Sequence, residues 1–374
     1  MPSIKGKIVN FDETFNGEVI FNDKINKIIR SKFTLGEDYI IPGFIDLHCQ
    51  GANGFDTMDG WNSIKKMSDY HLSKGTTSIL PTTWTSTFDH TFNALKEFKN
   101  YMNSNNNILG VHLEGPFINP GKLGVQPPLA INPSIDFVKE LQDVAPIKVI
   151  TLAPELDGMD DFIYQLDKLE INIQFGHSLA DFECCAKFMK KYNIGFTHLY
   201  NAMSGNHHRS SGVLGAALEL GSYAEIICDF NHVNKTSIKI AKKCIENLYA
   251  VTDSMGATGL HDGIYSFFGV DIEKKNKIAV VKKTKALAGS IINMHDTFSN
   301  LIKLKFSLNE AVKMTSYNAA QYLRKNELGY IGEDKISNIL ILDKALKIKE
   351  IYLNGIKFDG EVKRIRRITW KILI

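Results

Sequence analysis

Residues 173–203 read IQFGHSLADFECCAKFMKKYNIGFTHLYNAM and repeat one pattern at their two ends. An apolar run leads to His177 near the start, and another leads to His198 near the end. The residues between them, 180–192, carry apolar or small side chains close to helical spacing. This pattern predicts a strand, a crossover helix and a parallel strand, with one histidine at the carboxyl end of each strand. Because such a helix brings both strand ends to the same edge of a sheet, we expect two imidazoles that can share one metal ion.

Strand-like and helical patterns alternate on both sides of this segment. The strand-like runs lie near residues 45–48, 77–82, 108–113, 148–152, 171–176, 194–197, 223–228 and 248–252. Helical patterns separate most of them, at residues 61–74, 88–102, 133–144, 159–169, 180–192 and 235–244. Alternating units of this number predict an α/β protein built as a TIM-like (β/α)8 barrel. A doubly wound open sheet is the alternative.

Short β-like pieces occupy both ends of the chain. They lie at residues 7–10, 18–21 and 25–29 on one side and at 339–342 and 348–353 on the other. A hairpin-like stretch at 265–281 and helical patterns at 295–305 and 308–323 precede the last pieces. We expect the two ends to pair into a small β-sandwich domain, residues 1–40 plus 335–374, beside a catalytic barrel domain of residues 41–334.

The composition is that of a globular protein with a sizeable core, since 44% of the 374 residues are hydrophobic and 23% are charged. The net charge of +3 does not argue for nucleic acid, and the basic run at 363–367 is interpreted as a solvated tail. The five cysteines form no CxxC pair and are interpreted as free thiols. With no apolar run of about 18 residues, the sequence predicts a cytoplasmic protein that binds neither nucleic acid nor membrane.

Polar residues follow several of the predicted strands, where the catalytic groups of a barrel lie. They include His48, Glu114, His177, His198 and Asp253. An ionised carboxylate after the apolar strand that leads to Glu114 is costly unless a cation compensates it. One carboxylate and two imidazoles leave a coordination position open, as in catalytic metal sites. Asp253 is then placed to take a proton from water and to return it to a leaving group.

A structural role is the alternative for Asp253. In that interpretation, its side chain caps a helix that begins at Met255. The sequence by itself leaves both roles open, although a cap does not explain the other polar residues at the strand ends.

Six short motifs resemble those of the N-acetylglucosamine-6-phosphate deacetylases, which belong to the metal-dependent amidohydrolase superfamily. They are PGFIDLH at 42–48, HLEGPF at 112–117, GHS at 176–178, THLYNAM at 197–203, TD at 252–253 and LAGS at 287–290. The resemblance implies a deformed barrel with a β-sandwich from both termini, and a homodimer. It implies metal ligands at Glu114, His177 and His198, and acid/base catalysis by Asp253. The substrate-binding residues that it implies are Val125, Gln126, Asn201, Ala202, Arg209, His232, Leu287, Ala288 and Gly289.

The activity that this resemblance implies is hydrolysis of N-acetyl-D-glucosamine 6-phosphate to glucosamine 6-phosphate and acetate, in amino-sugar catabolism. The implied cofactor is one divalent metal ion, with Zn2+ expected and Fe2+, Mn2+, Co2+ or Ni2+ as alternatives. The partner is a small sugar phosphate. Three other functions stay open: deacetylation of N-acetylgalactosamine 6-phosphate or another acylated amino sugar, hydrolysis of a cyclic amide, and sugar-phosphate binding without catalysis.

The sequence departs from the family pattern at three places. Gln50 stands where superfamily members with two metals carry the second histidine of a His-x-His motif, so we expect one tightly held ion, with His48 as a candidate ligand for a weak second one. Gln126 replaces a histidine near the substrate carbonyl; it can donate a hydrogen bond but cannot carry charge. Phe230 replaces a glycine near the phosphate end of the site.

Overall fold

The computed structural model describes residues 1–102, 107–267 and 269–360. The end of the predicted small domain, residues 361–374, lies outside the described residues, as does the basic run at 363–367. All five cysteines are free thiols.

Eight parallel strands form the centre of the protein, close to the predicted positions. Six of them make one sheet in the spatial order Ile194–Phe196, Asn172–Phe175, Ile147–Leu152, Val111–Glu114, Thr76–Thr83 and Phe44–Cys49. The other two, Tyr223–Ile227 and Asn247–Val251, pair with each other in parallel. Apolar residues from both sheets form the core, because strands with helices on their outer side are buried on both faces.

Hydrogen bonds beyond the strand ends join the two parallel sheets on both sides. The amide of Leu199 donates to the carbonyl of Glu225 at 2.8 Å, and the amide of Asp253 donates to the carbonyl of His48 at 2.8 Å. The carboxyl ends of the eight strands therefore meet around one rim.

Eight helices accompany these strands in the described part of the chain. Their bounds are Trp61–Leu72, Phe88–Leu95, Phe98–Tyr101, Ile135–Val144, Met159–Lys168, Phe182–Met189, Val213–Leu220 and Lys235–Cys244. Short 3-10 turns lie at Thr57–Asp59 and Pro120–Lys122. The single helix predicted at 88–102 is wrong, because the structure has two shorter helices there.

Both ends of the chain contribute to one seven-stranded sheet. Its spatial order is Ile356–Lys357, Ile348–Leu353, Ile339–Leu342, Tyr39–Pro42, Ser3–Val9, Thr14–Phe21 and Ile25–Ser31. The strand Tyr39–Pro42 is parallel to its neighbour Ser3–Val9 and antiparallel to Ile339–Leu342. The hydrogen-bonded ladder is thus continuous, rather than divided into the two sheets that the expected β-sandwich would have.

A three-stranded antiparallel sheet covers one side of the rim. It consists of Gly263–Phe267, Val270–Lys275 and Ile278–Val281, where the sequence predicted a hairpin. Ile272 and Ala279 of this sheet pack against Met255, Ala257 and Ala288, which follow the last barrel-type strands.

The remaining helices lead the chain back to the terminal sheet. They are Met294–Lys303, Leu308–Val312 and Asn318–Tyr322, with a π-helical turn at Lys313–Tyr317 between the last two. Two short antiparallel ribbons pair Gly51–Ala52 with Phe55–Asp56 and Asn206–His207 with Ser210–Ser211. None of the helices in the described ranges has the length and apolar character needed to cross a membrane.

Candidate active site

The predicted site residues meet at the carboxyl rim because each ends or follows a parallel strand. Glu114 is the last residue of Val111–Glu114, while His177, His198 and Asp253 each come two residues after a strand. The last three residues have positive φ angles, of 49°, 29° and 47° respectively. That left-handed conformation is unfavourable for side chains other than glycine, and it occurs preferentially at functional sites. Here it turns the chain sharply at the strand ends.

Glu114, His177 and His198 form a triangle of potential metal ligands. The Oε1 atom of Glu114 lies 3.1 Å from Nε2 of His177 and 3.1 Å from Nε2 of His198. The two Nε2 atoms are also 3.1 Å apart. All three residues are buried, and they form one of three groups of His, Cys, Asp or Glu in the described residues with metal-binding geometry.

The hydrogen bond of His177 that points away from the triangle indicates which kind of ligand the triangle can bind. Its Nδ1 atom lies 2.8 Å from the carbonyl oxygen of Lys122, which only accepts, so Nδ1 carries the proton. In the neutral ring, Nε2 therefore directs a lone pair at a carboxylate oxygen. Such a contact is repulsive unless a cation lies between the two atoms, and donor atoms on one tetrahedral Zn2+ are separated by about 3.3 Å. The triangle fits a divalent metal ion.

Electrostatics keep the carboxylate of Glu114 charged. Burial alone would raise the pKa of Glu114, but the charge of His48, followed by the contacts with His177 and His198, outweighs burial and holds this pKa well below its usual value. The group is therefore available as an ionised ligand.

Two amide side chains hold the other oxygen of Glu114. Nε2 of Gln50 donates to Oε2 at 2.6 Å, and Nε2 of Gln126 donates to it at 2.7 Å. Gln126 is itself fixed, because its Oε1 atom accepts a hydrogen bond of 2.7 Å from the amide of Thr85. Two of the three departures from the family pattern, Gln50 and Gln126, thus orient the carboxylate of Glu114. The sequence did not reveal this role.

His48 lies beneath the triangle and contacts three carboxylates. Its Nδ1 atom is 2.9 Å from Oε2 of Glu225, and its Nε2 atom lies 3.5 Å from Glu114 and 3.4 Å from Asp253. Glu225 also accepts a hydrogen bond of 3.2 Å from the amide of His198. The sequence analysis missed Glu225, although a glutamate inside the apolar strand Tyr223–Ile227 was a detectable signal.

Asp253 faces the same space with a carboxyl group whose pKa is raised. Burial is the main cause, the charge of Glu114 adds to it, and His48 opposes it. The alternative role as a helix cap is wrong, because residues 256–259 form turns and no helix begins at Met255 in this described segment.

A cavity of about 160 Å³ opens above these groups. Its lining includes every predicted substrate-binding residue except Arg209, namely Val125, Gln126, Asn201, Ala202, His232, Leu287, Ala288 and Gly289. Arg209 lies on the exposed ribbon at 206–211, where its Nε atom donates to Nε2 of His208 at 2.9 Å. Gly124 and Gln50 line the cavity but were not predicted as substrate-binding residues.

His232 brings a positive charge to one end of this cavity. Its Nδ1 atom lies 2.7 Å from Oδ2 of Asp229 and its Nε2 atom lies 2.7 Å from the carbonyl of Ala288. Both partners accept, so both ring nitrogens carry protons. Burial alone would lower the pKa of His232, but the hydrogen bond and charge of Asp229 raise it above 6.5. The sequence analysis did not assign Asp229 to the site.

Comparison with known proteins gives consistent results over most of the chain. The amidohydrolase family model matches residues 39–365. An N-acetylglucosamine-6-phosphate deacetylase of Bacillus subtilis is 36% identical over 77% of this chain and 76% of its own length. An N-acetylgalactosamine-6-phosphate deacetylase of Escherichia coli O157:H7 is 29% identical over 85% of this chain and 87% of its own length.

A solved structure is similar to this protein over almost its whole length. The N-acetylglucosamine-6-phosphate deacetylase of Thermotoga maritima superposes with a TM-score of 0.89 at 31% sequence identity. The match covers 95% of this chain and 99% of that one.

Proposed function

This chain belongs to the amidohydrolase family, and we propose that it hydrolyses N-acetylglucosamine 6-phosphate to glucosamine 6-phosphate and acetate, in amino-sugar catabolism. The observation that carries the proposal is the triangle of Glu114, His177 and His198, because its three facing atoms are of the types that bind a divalent ion and are separated as the donors around one ion would be. The relatives that match most of this chain are named as deacetylases, which supports the choice of reaction.

We assign the metal ion to Glu114, His177 and His198, with Zn2+ as the ion that best suits two imidazoles and one carboxylate. A divalent ion held there supplies a Lewis acid that polarises the amide carbonyl and lowers the pKa of water. Gln50 and Gln126 keep the carboxylate of Glu114 in place. We assign one ion only, because the amide of Gln50 occupies the space beside Glu114 where a second histidine would reach.

Asp253 carries the proton in the proposed reaction. Its carboxylate accepts a proton from the attacking water and delivers it to the amide nitrogen as the carbon–nitrogen bond breaks. The raised pKa suits this exchange, because it makes the carboxylate a stronger base toward the attacking water, while the resulting carboxylic acid is still acidic enough to protonate an amine.

The remaining lining of the cavity binds the sugar phosphate. We assign the phosphate to the positive His232, to Asn201 and the Ala202 backbone, and to Arg209 at the edge of the site. Val125, Gln126 and residues 287–289 contact the sugar and its acyl group. The exposed position of Arg209 suits a group that approaches the phosphate from outside the cavity or from another subunit.

Our proposal for the whole protein follows the same relatives. We propose a closed, distorted (β/α)8 barrel over residues 41–334, with a small β domain built from 1–40 plus 335–374 around the single seven-stranded sheet. The similarity of the Thermotoga maritima structure over 95% of the chain supports this architecture. We also propose a homodimer that works in the cytoplasm.

The galactosamine epimer is a second candidate substrate. The relative from Escherichia coli O157:H7, which acts on N-acetylgalactosamine 6-phosphate, covers 85% of this chain. The two substrates differ only in the orientation of one hydroxyl group.

The decisive experiment compares wild type with Asp253→Asn on acetamido sugars with and without the phosphate. We expect acetate release from N-acetylglucosamine 6-phosphate by wild type, and a fall of about 10²- to 10⁴-fold in the variant. Metal content, measured by elemental analysis, should stay the same, because the proposed ligands are intact. Equal activity of the two proteins would exclude Asp253 as the proton carrier, and a metal-loaded wild type that releases no acetate from any sugar would refute the deacetylase function.

A further inference from the structure

A second cavity, of about 200 Å³, adjoins the proposed catalytic cavity. The two share three lining residues, Val125, Gln126 and Ala288, so they meet at this boundary. One of the three, Gln126, holds the carboxylate of Glu114. The boundary between the cavities is therefore next to the atoms that would bind the reacting carbonyl.

The chemical character of the second cavity differs from that of the first. Apart from Gln126, every lining residue in the described part of the chain is apolar, among them Trp84, Met255, Phe267 and Ile272. Trp84, Met255 and Ile272 are almost fully buried. The indole nitrogen of Trp84 already donates to Asp56 at 3.1 Å, which leaves the ring as apolar surface. Such a lining offers little to a sugar hydroxyl or to a phosphate and suits a hydrocarbon chain.

The position of the cavity identifies which part of a substrate would enter it. In the proposed function, the phosphate lies toward His232 and the amide carbonyl lies beside Glu114 and Gln126. The group on the far side of that carbonyl is the acyl chain, and the apolar cavity opens at Gln126. An acetyl group has a single methyl beyond the carbonyl and would leave most of a 200 Å³ space unused.

We propose that this cavity is an acyl-chain pocket, which allows the enzyme to hydrolyse N-acyl amino-sugar phosphates whose acyl groups have about four or more carbons. The inference rests on the proposed deacetylase function. The reaction is the same in each case: water adds its oxygen to the acyl carbon, the carbon–nitrogen bond breaks, and the amine takes up the proton. The products are a fatty carboxylate and the amino-sugar phosphate.

The test compares N-acetyl- and N-butyrylglucosamine 6-phosphate with the metal-loaded full-length protein. Each buried methylene contributes about fourfold in affinity, so two methylenes should lower KM by up to about 15-fold while kcat stays similar. Hydrolysis of the acetyl compound with a kcat/KM for the butyryl compound more than 100-fold lower would overturn the acyl pocket alone. If neither compound is hydrolysed, the proposed function fails and the inference fails with it.

A variant that fills the cavity tests whether the preference for longer acyl groups arises there. Ile272→Phe places extra volume in the pocket, and we expect it to reduce the butyryl-to-acetyl ratio of kcat/KM at least about tenfold while the acetyl reaction changes less than about twofold. Ile264→Phe is the matched control, because Ile264 belongs to the same three-stranded sheet but is 55% exposed and lies outside the lining. An equal ratio in both variants would refute the pocket.

A variant at a second position keeps the test conclusive if Ile272→Phe does not fold. Val270 also lines the cavity and is 36% exposed, so Val270→Phe adds volume at a more tolerant position. If Ile272→Phe does not fold, the butyryl-to-acetyl ratio of Val270→Phe decides: a drop supports the pocket, and a wild-type ratio overturns it.

Discussion

The two carboxylate oxygens of Glu114 have different partners. Oε1 faces the two histidine nitrogens, and Oε2 accepts from the side chains of Gln50 and Gln126. Because the two amides occupy Oε2, the orientation of the carboxylate does not depend on the metal ion. The ligand triangle is in this sense preorganised, which reduces the ordering cost of binding an ion.

Replacing the carboxylate tests the assignment of the ligands. We expect Glu114→Gln to lose most of its bound metal, because an amide is a poor zinc ligand and carries no charge, and to lose activity at least about 100-fold. Elemental analysis of the purified protein and an acetate-release assay measure the two effects. Glu219→Gln, at an exposed helix position, is the matched control and should behave as wild type. Full metal content in Glu114→Gln would remove Glu114 from the ligand set.

The pairing of Asp229 with His232 predicts a pH effect on substrate binding. Since the folded protein holds the pKa of His232 above 6.5, the ring is a cation below that value and loses its charge as the pH rises through the raised pKa. In Asp229→Asn the pKa of His232 should fall, so that the loss of charge occurs at lower pH.

The measurement is the pH profile of KM for the sugar phosphate in wild type and Asp229→Asn. We expect KM to rise about 10- to 100-fold, as charge-assisted contacts are lost, and to do so at lower pH in the variant. The titration of the substrate phosphate is common to both profiles and cancels in the comparison. Superimposed profiles would show that His232 does not bind the phosphate.

Residues that follow apolar strands were the predictable part of the site. Glu114, His177, His198 and Asp253 could be found because an abrupt change from apolar to polar residues marks the end of a buried strand. Residues that act through another side chain could not be found in the same way. Which side chain Glu225 contacts depends on a neighbouring strand that lies far away in the sequence.

At the scale of elements, the helix Phe182–Met189 positions the two histidine-bearing strands. It is short, and its first turn is held by Asp181, whose Oδ1 accepts a hydrogen bond of 2.8 Å from the amide of Cys184. The backbone of Asp181 also pairs with Gly212, which precedes the next helix. The connection between the strands therefore depends on one capping residue.

Removing this cap should weaken folding without removing metal. We expect Asp181→Ala to reduce the free energy of unfolding by about 1 kcal/mol, whereas Asp181→Asn, which retains the capping oxygen, should change it much less. Urea-induced unfolding measures both, and metal analysis should give wild-type values. A loss as large in Asp181→Asn as in Asp181→Ala would mean that the charge rather than the cap matters.

The helical elements that the sequence did not reveal lack a clear periodic alternation of apolar and polar residues. The helix Val213–Leu220 reads VLGAALEL, and an almost uniformly apolar segment has no polar face that would mark it as a helix. The pattern at 308–323 correctly indicated helical structure, but the π-helical turn at Lys313–Tyr317 interrupts it. One extra residue in a turn shifts which side chains face the core, and local propensity does not report that shift.

For the whole molecule, a pair of hydrogen bonds joins the two ends of the chain. The side chain of Asn10 donates to the carbonyl of Ile331 at 2.9 Å and accepts from its amide at 2.8 Å, and Asn10 is fully buried. The amide and the carbonyl of Ile331, far away in the sequence, are thus both hydrogen-bonded by a single side chain.

Asn10→Ala should therefore destabilise the whole protein. The change leaves one buried donor and one buried acceptor of Ile331 without partners, at about 1–3 kcal/mol each, so the free energy of unfolding should fall by about 2–6 kcal/mol. Asn26→Ala, at an exposed position of the same sheet, is the control and should stay within about 0.5 kcal/mol. Thermal unfolding compares the proteins, and equal midpoints would disprove this role of Asn10.

The alternation of strands and helices was sufficient to predict the eight central strands and the β character of both chain ends. It could not predict how the strands group into hydrogen-bonded sheets. The division into six and two strands depends on distances between Phe196 and Tyr223 and between Val251 and Phe44, which arise from the twist of the assembled sheet.

The contact between Asn10 and Ile331 spans 321 positions of the sequence, and this span has a consequence during protein synthesis. At about 5–20 residues per second, the ribosome needs roughly 16 to 64 seconds to make the intervening chain. For most of that interval, the strand Tyr39–Pro42 exposes an unpaired edge, because its partner Ile339–Leu342 has not yet been made. The nascent amino-terminal strands are consequently exposed to aggregation and to capture by a chaperone on the ribosome.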